Sequence, residues 1–265
     1  MAELRFRILG CGSSGGVPRI GGNWGDCDPT NPRNQRKRCS MLIERQDGEG
    51  ITRVLIDTSP DMRQQLIDAE AGVLNAVVFT HSHADHVHGI DDLRQVVYNT
   101  RQRLPVWADG DTQNDLISRF GYAFVQPAGS SYPPILDLHA IDGDIVIDGE
   151  GGPITLTPFK AEHGRIDALG FRVADVAYLP DVSDLYTESW AHLEGLEMWI
   201  LDALRRDPHP THIHLAKSLE WIDRVQAKNA VLTNMHIDLD YDTVQQETPD
   251  HVQPAYDGLT LRYTV

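Results

Sequence analysis

The sequence predicts an α/β fold in a single domain, and two observations carry this prediction. Short apolar runs typical of strands alternate with helix-like segments along the chain, without a linker between them. The chain has 265 residues, which is common for a layered α/β fold and ample to bury a sizeable core. We find no repeat of fixed period and no low-complexity segment. We therefore expect one domain over residues 1–265.

The individual elements follow from local pattern. Alternating or continuous apolar residues bounded by polar and Gly residues predict strands over 5–10, 39–44, 53–57 and 76–80. Helices are predicted over 61–69, with Ser59 or Pro60 at the start, and over 90–99. A further helix ends near Lys228, and its apolar stripe, which we assign to core packing, is Leu215, Leu219, Ile222 and Val225. Residues 126–134 and 149–152, rich in Pro or Gly, are expected to be surface loops.

The most informative segment follows the apolar run 76–79 and reads Thr-His-Ser-His-Ala-Asp-His-Val-His-Gly over residues 80–89. Three imidazoles and a carboxylate stand within six residues, His81 to His86. Such side chains are poor strand formers and are seldom buried without partners, but they are good ligands for divalent metals. The alternative, a solvated turn that is rich in His by accident, is much less favoured.

The spacing within this segment indicates two metals. His81 and His83 are two residues apart, so in an extended backbone their side chains point the same way and reach one ion. Asp85 and His86 stand where the chain is expected to turn into a helix over 90–97, so their side chains diverge from the first pair. This divergence suggests a second ion, as in two-metal sites whose ions lie about 3.5–4 Å apart.

Further ligands are expected where later apolar runs end in a polar residue. The run 154–159 leads to His163, the run 173–180 leads to Asp181, and the run 230–235 leads to His236. Each residue alone is more often an ordinary strand terminus. Together with the first motif, we interpret all three as metal ligands.

In this order of motifs the chain resembles the metallo-β-lactamase-fold hydrolase superfamily. The resemblance implies an αββα four-layer sandwich, in which two mixed β-sheets pack face to face with helices outside. It implies that one metal is held by His81, His83 and His163, and the second by Asp85, His86 and His236. It also implies that Asp181 bridges the two ions.

Two segments, residues 8–18 and 232–240, resemble the phosphodiesterase branch of this superfamily. That branch includes ribonuclease Z and the cyclic phosphodiesterase of phosphonate breakdown, which acts on phosphoribosyl 1,2-cyclic phosphate. The chain departs from both. It lacks the Cys-rich zinc knuckle of the second, having only Cys27 and Cys39 in that region, and it lacks the His-Glu-Ala-Thr motif and long arm of the first. The natural substrate therefore stays open.

Composition restricts the partners. The net charge of −16 argues against broad nucleic-acid binding, which needs many Lys and Arg contacts to phosphates. Two divalent ions nevertheless leave the predicted centre near +1, so a small anionic phosphodiester is compatible with it. No apolar run spans a bilayer or resembles a secretory signal, and three cysteines fit a reducing compartment, so we expect a cytoplasmic protein. A homodimer is one oligomeric state that the sequence leaves open.

Candidate substrate contacts come from two segments. Arg33 and Arg36 belong to a basic cluster that also contains Lys37 and Arg38, and phosphate recognition and a solvated loop are equally favoured for it. In the resembling phosphodiesterases a His near the predicted helix at 215 approaches the scissile phosphate. His214 is our first assignment for this position, and His212 is the second.

The expected reaction is hydrolysis of a phosphodiester by a hydroxide that bridges two divalent metals, zinc or manganese first, iron or nickel as alternatives. Asp85 would orient the hydroxide, and His214 or a water would protonate the leaving oxygen. Two alternatives are kept. One is a metallohydrolase of a thioester, lactone or lactam, and the other is a non-catalytic metal- or ligand-binding protein on the same fold.

Overall fold

The computed structural model describes residues 2–126 and 128–264, which fall into two compact units. Unit 1 contains Met1–Leu9, Ser40–Thr155 and Thr260–Val265, and unit 2 contains Gly10–Cys39 and Leu156–Leu259. The chain passes between the units more than once, so neither is a continuous segment. The expectation of one domain over 1–265 stays a prediction, and its two end residues lie outside the described part.

Unit 1 is built on a seven-stranded mixed sheet. Its strands are β1 (Glu3–Gly10), β2 (Ser40–Asp47), β3 (Gly50–Ile56), β4 (Ala76–Val78), β5 (Leu104–Ala108), β6 (Leu136–Ala140) and β15 (Thr260–Thr264). Their order across the sheet is β15-β1-β2-β3-β4-β5-β6. The β3–β4, β4–β5 and β5–β6 pairs are parallel, whereas β15–β1 and β2–β3 are antiparallel. The three residues of β4 are fully buried, as a central parallel strand covered on both faces requires.

The helices of unit 1 are α1 (Met62–Asp68), α2 (Ala84–Val87), α3 (Leu93–Thr100) and α4 (Gly110–Phe124). Met62, Leu93 and Leu116 contribute one apolar side chain each from α1, α3 and α4 to a core shared with strand residues such as Val77. The predicted helix at 90–99 begins as a 3-10 turn, Ile90–Asp92, before α3. The helix α2 was not predicted, because four residues are too few for a periodic pattern.

Unit 2 carries most of an eight-stranded mixed sheet. The strands are β7 (Ile145–Ile147), β8 (Ile154–His163), β9 (Ile166–Val173), β10 (Val176–Leu179), β11 (Asp184–Leu185), β12 (Met198–Asp202), β13 (Asn229–Thr233) and β14 (Val252–Pro254). Seven of them lie in the order β11-β8-β9-β10-β12-β13-β14. The β8–β9 and β9–β10 pairs are antiparallel, and β10, β12, β13 and β14 pair in parallel. The helices are α5 (Leu215–Val225) and α6 (Tyr241–Glu247).

One predicted strand is wrong. The apolar run 173–180 is not a single strand, because β9 ends at Val173 and β10 begins at Val176. Ala174 between them has φ 52°, and Val173 pairs with Val176 across the resulting hairpin. A left-handed Ala carries no turn signal in the sequence, so the break is invisible there. Asp181 nevertheless follows the second of the two strands.

The α/β class with two mixed sheets is confirmed by this architecture. The stripe helix is found as α5, with Leu215 and Ile222 buried, and it ends at a left-handed cap, Gln226. Among the described residues, no helix is both long and apolar enough to cross a membrane.

Candidate metal centre

Each unit carries predicted metal ligands, and each is described by itself: His81 and His83 lie in unit 1, and His163 and Asp181 lie in unit 2. In unit 1 the motif follows β4 directly. The rings of His81 and His83 lie 4.6 Å apart, and those of His81 and His86 lie 4.3 Å apart. Asp85 and His86 stand on α2, where Asp85 Oδ2 is 3.7 Å from His86 Nε2. The predicted turn into a helix therefore occurs within the motif itself.

A buried carboxylate, Asp57, orients two of these imidazoles. Asp57 follows β3 with φ 63°, a conformation that Asp tolerates better than most residues. Its carboxylate accepts hydrogen bonds from His86 Nδ1 at 2.7 Å, and from Thr80 N and Thr80 Oγ1 at 2.8 Å each. Thr80 Oγ1 in turn lies 3.0 Å from His81 Nδ1. The amide of Thr80, just beyond β4, thus serves the carboxylate.

In unit 2 a second pair of ligands meets at the ends of β8 and β10. His163 is the last residue of β8, and its Nε2 lies 3.5 Å from Asp181 Oδ2. Both side chains are buried, and His163 Nδ1 donates to the carbonyl of Thr211 at 2.7 Å. Asn234, with φ 59°, donates from Nδ2 to the other oxygen of Asp181 at 3.3 Å. Two strand termini that are distant in sequence thus place an imidazole and a carboxylate side by side.

His212 joins this group, and His214 does not. The ring of His212 lies 4.7 Å from that of His163, and its Nε2 is 3.9 Å from Asp181 Oδ2. His214 is instead the N-cap residue of α5, and its side chain makes no capping bond there. The structure thus places the second assignment, His212, beside predicted ligands, and the choice between His212 and His214 stays a prediction. His212 and His214 are two residues apart, so an extended backbone would point both side chains the same way, and local pattern alone does not separate them.

Asp202, the last residue of β12, holds His212 in place. His212 Nδ1 donates to Asp202 Oδ2 at 2.8 Å, and the same oxygen accepts from Val182 N at 3.1 Å. Complete burial raises the pKa of Asp202 to about 7, although the neighbouring His212 opposes that rise. The pair is a carboxylate–imidazole arrangement of the kind that sets the tautomer of a functional histidine.

His236, the third predicted ligand of unit 2, is oriented by Asp238, which accepts from His236 Nδ1 at 2.9 Å. The guanidinium of Arg19 contacts the other ring nitrogen, Nε2. The main chain beside the ring is anchored by a bond from Met235 N to the carbonyl of Cys11 at 2.8 Å.

These hydrogen bonds fit a metal site. In four of the five predicted ligand histidines Nδ1 faces an oxygen: Thr80 Oγ1 for His81, Asp57 for His86, the Thr211 carbonyl for His163 and Asp238 for His236. Metal-ligating histidines typically donate their second N–H in this way, which leaves Nε2 to bind the ion. Imidazole and carboxylate together suit zinc, manganese, iron and nickel.

Two arginines of the basic cluster, Arg33 and Arg36, have different surroundings. Arg36 is only 2% exposed, and its guanidinium donates to the carbonyls of Leu239 at 2.7 Å and His236 at 3.3 Å. It therefore clamps the main chain, and the assignment of Arg36 to substrate phosphate is wrong. Arg33 is exposed, with its guanidinium over the rings of Tyr241 at 4.8 Å and Tyr256 at 5.1 Å. The Arg33 guanidinium therefore lies at the surface.

Sequence reasoning missed three residues of this region: Asp57, Asp202 and Arg19. The first two carry the signal that was used for His163 and Asp181, a polar residue closing an apolar strand, in Val-Leu-Ile-Asp and Trp-Ile-Leu-Asp. Applied to every strand, that signal would have found them. Arg19 carries no comparable signal.

Comparisons with known proteins find relatives over most of this chain. Residues 52–237 match the family described as the beta-lactamase superfamily domain. A crystal structure described as a new diphosphatase from the PhnP family is 32% identical, with a TM-score of 0.87, over 99% of this chain and 98% of the other. Zn²⁺-bound PqqB from Methylobacterium extorquens shares the fold, with a TM-score of 0.74 at 18% identity over 97% of this chain and 99% of the other.

Among curated proteins, an octanoyltransferase of Porphyromonas gingivalis is 32% identical over 261 residues. The match covers 97% of this chain but 51% of that protein, so the chain spans about half of its relative's length. Coenzyme PQQ synthesis protein B of Cupriavidus necator is 24% identical, with 97% of each chain covered.

Proposed function

Because the chain belongs to the beta-lactamase superfamily, in the phosphodiesterase branch that includes the PhnP family, we propose that this metallo-β-lactamase-fold hydrolase cleaves a small cyclic or nucleotide-like phosphodiester. The observation that carries the proposal is the orientation of the imidazoles. Four histidines that the motif order assigns to metals have Nδ1 on an oxygen partner, which leaves Nε2 for an ion.

The proposed ligands are divided between two ions. His81, His83 and His163 would hold the first, Asp85, His86 and His236 would hold the second, and Asp181 would be shared by both. The metals are zinc or manganese, with iron and nickel as alternatives. When bound, such a pair of ions acidifies water and neutralises phosphoryl oxygens.

The chain's own residues supply orientation and a proton. Asp57 and Thr80 hold His86 and His81, and Asp85 positions the attacking water. His212, fixed at Nδ1 by Asp202, presents Nε2 as the donor of a proton to the leaving oxygen. A positioned acid of this kind is typically worth about 10²–10⁴-fold.

The substrate class follows from charge and from the relatives. Arg33, held by two tyrosine rings, offers an exposed guanidinium for a second anionic group. The PhnP-family relative is named a diphosphatase, so a substrate with two linked phosphates is within the proposal. We propose no broad nucleic-acid partner, because the net charge is −16.

A second candidate is hydrolysis of a thioester, lactone or lactam. It is favoured by one observation, the 32% identity with half of a protein named for octanoyl transfer. The match covers only 51% of that protein, so its name does not assign the acyl chemistry to the matching part.

The experiment compares three substrates on the metal-supplemented protein: bis(p-nitrophenyl) phosphate, an octanoyl thioester and a cephalosporin. We expect hydrolysis of the phosphodiester, and loss of that activity by orders of magnitude in Asp85→Ala with the fold intact. His251→Ala, at an exposed His, is the control. Faster turnover of the thioester would establish the second candidate, and inactivity on all three would leave a binding protein. Elemental analysis should find near two ions per chain.

We also propose that the protein works in the reducing cytoplasm. Cys11, Cys27 and Cys39 are all free and buried, as expected where disulfides do not form. Cell fractionation with a specific antibody would test this, and recovery outside the cytoplasm would contradict it.

A further inference from the structure

The loop at the start of unit 2 wraps around the segment that carries His236. Ser13 N donates to the carbonyl of Met235 at 3.3 Å, and Asp26 N donates to the carbonyl of Ile237 at 2.8 Å. The two bonds fall on either side of His236. The loop between residues 13 and 26 is therefore held, at its two ends, beside this predicted ligand.

Arg19 is the cation of that loop. A tight turn carries it, in which Arg19 N donates to the carbonyl of Asn23 and Gly22 N donates to the carbonyl of Arg19, each at 2.9 Å. The side chain runs past Gly15, where an added Cβ would lie 3.2 Å from Arg19 Nε. Gly15 has no positive φ that would demand glycine, so its lack of a side chain serves to make room for Arg19.

The partner of Arg19 is an imidazole and not a carboxylate. Its guanidinium contacts His236 Nε2, the nitrogen that would bind an ion. The chain has 39 acidic against 23 basic residues, and other arginines of unit 2 use them: Arg172 pairs with Asp175 and Arg206 with Glu247. Within residues 2–126 and 128–264, Arg19 pairs with no carboxylate, although it is exposed.

We propose that Arg19 binds an anionic oxygen of the substrate at the candidate metal centre. The inference rests on the proposed function. An ion held by His236 Nε2 would take the lone pair that now faces Arg19, and the guanidinium beside that ring would then be available to an anionic ligand. The planar fork of Arg suits two oxygens of one phosphoryl group. Gly15 leaves room for the side chain of Arg19, and Gly21 and Gly22 supply the positive φ values of the turn that carries it.

The test uses manganese-loaded protein and inorganic phosphate as the probe, measured by calorimetry and by competitive inhibition of bis(p-nitrophenyl) phosphate hydrolysis. Arg19→Ala should weaken phosphate binding and raise KM by roughly tenfold or more, and Arg19→Lys should restore part of the loss. The matched control is Arg224→Ala, which removes an exposed guanidinium that packs on Trp190. Metal content should stay at the wild-type value in all variants.

Three outcomes would overturn the inference. Unchanged phosphate affinity in Arg19→Ala would show that the guanidinium does not meet the anion. A lost ion in that variant would show that Arg19 acts through His236. An equal loss in Arg224→Ala would reduce the effect to net charge. If the wild-type protein hydrolyses no phosphodiester, the proposed function is wrong. The calorimetric comparison of phosphate binding by wild type and Arg19→Ala still tests the role of Arg19 separately.

Discussion

Asp57→Asn replaces one carboxylate oxygen by an NH₂ group in a fully buried network, with almost no change in shape. The amide oxygen can still accept from Thr80 N, now 2.8 Å from Asp57 Oδ1. The NH₂ group would face His86 Nδ1, now 2.7 Å from Asp57 Oδ2, where a donor is already present. The imidazole relieves this conflict by moving its proton to Nε2. A protonated Nε2 cannot bind a metal.

The expected loss of metal affinity follows from the two states that are then open to His86. Either His86 binds the ion with an unpaired buried donor beside it, or it keeps the wrong tautomer and does not bind. An unsatisfied buried donor costs about 1–3 kcal/mol. This corresponds to a loss of roughly 5- to 150-fold in metal affinity, in line with the 10–100-fold typical of such outer partners. Burial raises the pKa of Asp57, so removing its charge should leave the metal-free protein folded.

The assay is competition for zinc with a chromogenic chelator, accompanied by thermal unfolding of the chelator-treated protein. Asp91→Asn, which removes an exposed carboxylate of the same unit, is the control. We expect weaker binding of one ion in Asp57→Asn, near-normal binding in the control, and similar unfolding temperatures without metal. Equal zinc affinity in the two variants would refute the role of Asp57 in orienting His86.

Three further predictions concern unit 2. Gly25→Ala should destabilise the protein by more than about 1 kcal/mol in urea unfolding, because Gly25 has a φ of +56° and the added Cβ would lie 2.5 Å from the Ile237 carbonyl oxygen. The control Gly110→Ala, where no atom lies near the added Cβ, should not destabilise it. Arg36→Ala should cost about 2–4 kcal/mol and spare KM, since it leaves buried carbonyls unpaired. Burial raises the pKa of Asp257 to about 6, above its unfolded value, so the folded state holds the extra proton and stability falls as pH rises from about 4 to 6. Asp257→Asn should lack this fall, worth up to about 3 kcal/mol in chelator-treated protein unfolded at each pH.

The strands and the first metal motif were predictable because their signals are local. An apolar run such as 76–78 is typical of a central strand in a parallel sheet, where it is found. The histidines at 81, 83 and 86 indicate metal binding by their residue type and spacing. The same holds for His163, found as the last residue of β8. The run 173–180 was predicted less well, because its apolar pattern does not show that the chain turns at Ala174 and forms two strands.

The choice between His212 and His214 shows what local pattern lacks. Both are imidazoles near the start of α5, and the tertiary structure places His212 at hydrogen-bond distance from Asp202, which is ten residues away in sequence and closes a strand. Arg33 and Arg36 show the same limit for charge. They are alike in sequence, yet the guanidinium of one is exposed on tyrosine rings and that of the other is buried under carbonyls.

The sequence by itself determined the class of fold, the places of several strands and the residue types offered to a metal, because apolar periodicity and ligand chemistry are properties of short segments. Only the tertiary structure decided which oxygen faces Nδ1 of each histidine, which arginine is exposed and which is buried, and which polar strand end supports another. These depend on single hydrogen bonds between residues far apart in the chain, such as Asp57 with His86 and Arg36 with Leu239. A bond of this kind exists only once packing has brought its two atoms within about 3 Å.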